Sequence, residues 1–217
     1  MEFLADAINK GGFFMWPILA AAVFAMAISC ERLYMVAFRA NINAAAFMAE
    51  VQKLVLQNNL DGAISLCAAE ANAALARVLK AGLTRADASE GELRSAVDET
   101  VLGVYPELTK RSGYLPMLAN VSTLMGLLGT IQGLIQAFDA VANATAESRQ
   151  TLLADGIGVA MYTTFAGLVV AIPTLVLHSI IVARTTKIMD EVDQYALKTV
   201  NLLGARRRGA AATPSEA

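Results

Sequence analysis

Three long stretches of the chain contain no Asp, Glu, Lys or Arg: Gly11 to Cys30, Tyr114 to Phe138 and Gly156 to Ala183. A helix rises about 1.5 Å per residue, so crossing the hydrocarbon core of a bilayer takes about 20 apolar residues. Each stretch meets that requirement, and the chain reads as an all-α, polytopic membrane protein with three spans. Composition agrees, since 56% of the 217 residues are hydrophobic, 17% are charged and mean hydropathy is +0.52. A soluble domain is more polar than this. The net charge of −2 argues against a nucleic-acid role.

The first stretch resembles a secretory signal in position but not in chemistry. Glu2, Asp6 and Lys10 sum to a negative charge, whereas a signal begins positive and has a shorter apolar region. Glu31-Arg32 then closes the run with charge, as a retained helix ends, and Cys30 is not read as a lipoprotein cleavage site. Lys and Arg placement sets the orientation. Arg32 and Arg39 follow the first run, Lys110 and Arg111 precede the second, and Arg184 and Lys187 follow the third. The link between the second and third runs has Arg149 alone, beside Glu147 and Asp155.

The expected organisation is therefore an external N-terminus with a first span in 1–39, and a cytoplasmic helical domain at 40–113. A second span at 114–138, an external loop at 139–155 and a third span at 156–183 follow, with a cytoplasmic C-terminal segment at 184–217.

The cytoplasmic part reads as helix throughout. Phe47, Val51, Leu54 and Val55 repeat on one helical face, and Asn58-Asn59 ends that helix. Two short amphipathic helices follow, and Ser89-x-x-Glu92 is a capping box that opens another towards the membrane. Pro106 and Pro116 are expected to kink or divide that helix. Lys187 to Leu203 reads as a separate amphipathic helix. Arg206 to Arg208 then make solvent or headgroup contacts, and the final residues from Gly209 are disordered. Cys30 and Cys67 have no metal-ligand spacing and read as buried small hydrophobes. Nothing calls for a metal, a cofactor or a catalytic residue.

At about 100° per residue, Thr123, Gly126, Thr130, Gly133 and Ala137 share one face of the second span. Gly129-x-x-x-Gly133 is the small-residue spacing that lets membrane helices approach closely. Ala160, Thr164, Gly167 and Ala171 make a matching stripe on the third span. Thr130 and Thr164 both lie roughly 12 Å below the outer boundary, which places two hydroxyls at one depth. The alternative for each is a bond to its own helix carbonyl, with no functional content. Thr174 and His178, the only histidine, project within roughly 80° of Thr164 and nearer the cytoplasm. Gln132 and Gln136 point nearly opposite Thr130, and the sequence assigns them no role. No carboxylate lies in any of the three runs, although proton pathways usually centre on one. A proton-conducting protein of this kind takes its titrating group from another chain.

"KGGFFMWPI" with "ERLYM", "GLLGTIQGLIQAF" and "GIGVAMYTTFAGLVVAIP" resemble the three spans of the MotA/TolQ/ExbB proton-channel subunits over nearly the whole chain. The resemblance implies a ring, a pentamer, in the bacterial inner membrane. Its second and third helices surround a lumen holding an ExbD/TolR/MotB-like single-span partner with a membrane Asp. Ion flow through such a complex does mechanical work at the cell envelope. It further implies that Thr123, Thr130, Thr163, Thr164 and His178 line the ion path, while Gly126, Gly129, Gly133, Gly167 and Pro173 serve helix packing. The chain departs from the family pattern at Val159, where many members have Glu, and at Thr123, where many have Pro. It also lacks the fourth helix of a flagellar stator, which favours the ExbB/TolQ type. A gliding or flagellar-type stator subunit and a passive membrane scaffold stay open as alternatives. A more remote one is an intramembrane hydrolase using Ser122 or Ser179 with His178, for which no G-x-S-x-G is present.

Overall fold

The computed structural model describes residues 12–39 and 42–211. The readings that rest on Glu2, Asp6 and Lys10, and on the residues after Ala211, lie outside them. Among the described residues every regular element is a helix. These are α1 (Met15–Tyr34), continued by a π-helical turn at Met35–Arg39, α2 (Ala44–Leu56), α3 (Leu60–Ala69), α4 (Ala74–Thr84), α5 (Glu90–Thr109), α6 (Tyr114–Ala142) and α7 (Arg149–Ala211). Three helical stretches, Met15–Ala37, Glu90–Ala142 and Arg149–Arg208, are long and apolar enough to cross a membrane. The chain divides into two compact units. One comprises Met1–Arg32 with Arg111–Ile180, and the other Leu33–Lys110 with Ile181–Ala217.

Local chemistry explains most of the helix ends. Asn43 and Asn59 accept from the backbone N–H groups of Ala46 and Gly62, so each supplies an acceptor to a first turn that lacks one. Asn58 adopts a left-handed φ of 62°, which Asn tolerates better than most residues, and α2 ends there. Ser89 and Glu92 form the full reciprocal capping box at the start of α5. The hydrogen bonds from Ser89 hold the Glu92 carboxyl below the ordinary carboxylate range.

The prolines do not act where the sequence places them. Pro106 sits inside α5, and the interruption falls instead at residues 110–113, where Arg111 takes a φ of 62°. Pro116 is the third residue of α6, in the first turn, where a backbone N–H has no helical partner to lose. Pro173 lies within α7 without ending it.

In the membrane unit, α1 buries Met15, Ile18, Ala21, Ala25, Ser29 and Arg32, one residue per turn. Its C-terminal end is tied to the start of α6, because Glu31 accepts from Arg111 at 2.7 and 2.9 Å and from Arg32 at 2.8 Å. Cys30 is exposed on this helix, contrary to the buried reading.

In the second unit, α4 contributes Leu75, Val78, Leu79 and Leu83, and α5 contributes Leu93, Val97, Val104 and Leu108. Full burial of a side chain of this size is worth about 1.5–3 kcal/mol. Gly82 of α4 brings α5 and α7 to one level, since a Cβ there would meet Val97 at 3.0 Å and Thr199 at 3.7 Å. Cys67 is buried, and burial pushes its thiol up to about 11, so it stays protonated and unreactive at neutral pH.

The tail differs from the sequence reading in two respects. Lys187 to Leu203 is a continuation of α7, not a separate helix, and helix persists to Ala211. Arg206 donates to Asn58 Oδ1 at 2.5 Å, Arg207 donates to the carbonyl of Ala88, and Arg208 stands 3.6 Å from Glu90. The arginine run therefore engages the turn after α2, the start of α5 and the loop before it within its own unit.

Candidate functional site

The second and third spans meet along a seam built almost wholly from small residues. On α6 the buried positions are Leu115, Ala119, Ser122, Gly126, Gly129, Gly133 and Ala137. On α7 they include Ala160, Thr163, Gly167, Ala171 and Thr174. The contacts fix an antiparallel register. A Cβ at Gly167 would lie 2.6 Å from the Ser122 carbonyl oxygen and 3.3 Å from the Gly126 Cα. One at Gly129 would lie 2.5 Å from Thr163 Oγ1, one at Gly133 3.1 Å from Ala160, and one at Gly156 2.3 Å from the Ala137 Cβ. Backbone meets backbone along this seam, which only residues without bulk permit. Pro173, expected to serve helix packing, is exposed.

The threonines divide according to their place on that seam. Thr163 lies at its centre, 1% exposed, and donates to the Ala160 carbonyl at 2.8 Å. It fills the space opposite Gly129, enclosed within the seam. Thr123 is exposed and Thr130 half-buried, beside the seam rather than within it. Both hydroxyls turn back on their own helix, Thr123 to Ala119 at 3.1 Å and Thr130 to Leu127 at 2.6 Å. Thr164 differs from all of these. Its Oγ1 donates across the seam to the carbonyl of Gly126 at 3.2 Å.

Helix geometry then gives the seam two chemically distinct edges. Thr130 and Thr164 are each displaced about 60° from the seam centre in the same rotational sense. Because the two helices are antiparallel, equal displacements fall on the same edge, and Thr123 joins them there. Gln132 and Gln136 are displaced the other way. They line a cavity of about 330 Å³ with Gly12, Phe13, Phe14 and Val159. The sequence reading left these two glutamines without a place. The signal that could have found them is their spacing of four residues, which puts two amides on one flank of an apolar helix.

His178 is half-buried one turn beyond Thr174, which is itself buried and donates to Val170 at 2.7 Å. Ser122 is fully buried in the seam and donates to Leu118 at 2.8 Å, so its hydroxyl is not presented to any substrate. Among the described residues no group of His, Cys, Asp and Glu has metal-site geometry. The outer surfaces of α6 and α7 expose Leu127, Ile131, Phe138, Met161, Ile172 and Val176. Such a surface suits lipid or other membrane helices and would be unstable in water.

Residues 70–194, more than half of the chain and including all of this seam, match the sequence profile of the MotA/TolQ/ExbB proton channel family. The chain belongs to that family. Among its relatives, biopolymer transport protein exbB1 of Vibrio cholerae is 29% identical, over 93% of this chain and 89% of that protein. An ExbB-like biopolymer transport protein of Synechocystis is 29% identical over 86% of this chain and 90% of its own length. The Tol-Pal system protein TolQ of Haemophilus influenzae is 30% identical over 48% of this chain and 45% of its own length. The subunit is thus a multi-pass membrane protein of the ExbB/TolQ type, and its antiparallel α6–α7 pair lies within the family's matched region.

Proposed function

We propose that this chain forms the ring, a pentamer, of an inner-membrane motor driven by the proton-motive force. Its partner is an ExbD/TolR/MotB-like single-span protein whose membrane Asp carries the proton. The observation that supports this reading best is the edge formed by Thr123, Thr130 and Thr164, hydroxyl-bearing but without any acid. Hydroxyls solvate a moving charge but do not hold a proton near neutral pH, so a protonatable group must come from elsewhere. The seam keeps α6 and α7 at fixed spacing while the partner moves past the threonine edge. His178 lies further towards the cytoplasm along α7, where it would face the inner mouth of the path. The work done serves energised transport or envelope maintenance, in line with the biopolymer transport and Tol-Pal names of the relatives.

Replacing Thr130 and Thr164 together by Val preserves volume and removes both hydroxyls. Loss of the Thr164 bond to Gly126 should cost about 1 kcal/mol of stability, which leaves the ring assembled. Ion-driven work in cells should fall roughly tenfold or more, equivalent to losing about 1.4 kcal/mol of stabilisation along the path. A double variant that assembles and works at the wild-type level would reduce the edge to ordinary helix hydrogen bonding, and would leave the passive scaffold as the better reading.

The proposed orientation has 40–113 and 184–217 in the cytoplasm, with the N-terminus and 139–155 in the periplasm. In a background lacking Cys30 and Cys67, Ala146→Cys should react with an impermeant thiol reagent in intact spheroplasts. Ala88→Cys should react only after lysis. The reverse pattern would invert the subunit in the membrane.

A further inference from the structure

We propose that neighbouring copies of this chain are joined in the cytoplasm by a head-to-tail contact, in which the α7 stripe of Asp193 and Leu197 seats in a groove between α4 and α5. The proposal rests on the ring reading above and says which surfaces close it. A ring of identical subunits needs two different, complementary patches on each subunit, because its interface is heterologous. The second unit has such a pair. Between α4 and α5 lies an open groove of about 470 Å³, in which Ala81 and Ala96 contribute apolar surface and the positive charges of Lys80 and Arg85 outweigh the carboxylate of Glu99. On α7, Asp190 and Asp193 are exposed, and Leu197 is 58% exposed on a helix in the aqueous part of the protein. An aspartate and a leucine four residues apart match a cationic rim and an alanine floor.

The two patches cannot satisfy each other within one subunit. Gly82 and Thr199 are the points where α4 and α7 approach. Lys80 is about 200° around α4 from Gly82, and Asp190 is about 180° around α7 from Thr199, with Leu197 beside it. The groove and the stripe therefore face away from one another.

They nevertheless lie at similar levels along the helices. Gly82 is level with Thr199, and Arg207, further along α7, reaches the Ala88 carbonyl just past the end of α4, so the two helices run in the same direction. Lys80 and Leu197 are each two residues below the Gly82 level, about 3 Å. Asp193 is about 9 Å below it, and the difference of about 6 Å is within reach of a lysine side chain. Rotation about a ring axis roughly parallel to these helices preserves level, so the groove of one copy meets the stripe of the next.

The test is disulfide trapping in the full-length protein in membranes, with Cys30 and Cys67 replaced by Ala. Lys80→Cys combined with Leu197→Cys, the pair at one level, should give, on mild oxidation, a ladder of covalent oligomers that ends at the ring. Lys80→Cys with Leu56→Cys should give none. In parallel, Lys80→Glu with Arg85→Glu should shift the assembly midpoint to at least tenfold higher protein concentration, and adding Asp190→Lys with Asp193→Lys should restore it. Native mass measurement of each purified variant separates the two levels of the argument. Rings that form normally, with no ladder and no response to charge reversal, overturn this interface and leave the ring standing. A chain that is monomeric at every concentration overturns both.

Discussion

Proteoliposomes holding this chain alone are expected to show no more proton flux than empty vesicles under an imposed pH gradient. Co-reconstitution with an ExbD/TolR-like partner should switch flux on, and the same partner with its membrane Asp changed to Asn should return it to the empty-vesicle level. The reason is chemical. The three apolar runs contain no carboxylate, and the seam between α6 and α7 with its threonine edge offers only hydroxyls, of which Thr130 and Thr163 already donate to backbone carbonyls. A threonine hydroxyl has a pKa far above the physiological range and cannot bind and release a proton in each cycle. His178, the only histidine of the sequence, lies in the third run. Robust flux from the chain alone would sink the two-protein mechanism, and its loss on His178→Gln would then identify the carrier.

Gly167→Ala is expected to be among the most damaging single-methyl changes in the membrane unit. Its new Cβ would stand 2.6 Å from the Ser122 carbonyl oxygen, a backbone atom that no rotamer change can move. The helices must separate, and overpacking of this kind costs typically 1–3 kcal/mol, with more where backbone meets backbone. Gly158→Ala is the matched control. It lies on the same helix, and a Cβ there meets nothing within 4 Å. Its helix propensity rises, by up to about 1 kcal/mol. Heat or denaturant midpoints in detergent should therefore move in opposite directions for the two variants. Equal midpoints would mean that α6 and α7 do not approach as closely as the seam requires.

Much of this architecture is dictated by the sequence alone. Three charge-free runs are each long and apolar enough to cross a bilayer, and that is legible from composition. The Ser89–Glu92 box is local chemistry, read directly from spacing, and so are the Asn58-Asn59 break and the small-residue period on the two spans. Rotation of each helix about its axis is a different matter. The sequence groups Thr123 and Thr130 with the glycines of α6 and puts Thr164 on the stripe of α7, whereas the seam centres on Ser122, Gly129 and Thr163. One residue is about 100° of rotation, and a periodic pattern cannot distinguish a face from its edge at that precision. Only the partner helix decides it, through the depth to which Gly126 and Gly167 allow two backbones to approach.

The same holds for the ends of elements. Pro106 and Pro173 remain inside helices, while Arg111 takes a left-handed turn that no residue type announced. The arginines at 206–208, solvated on paper, find Asn58, Ala88 and Glu90 once α7 extends past them. Solvent and membrane act on each segment separately, so their demands are written into local composition. Contacts between segments depend on where the chain returns, and those were settled only by the fold.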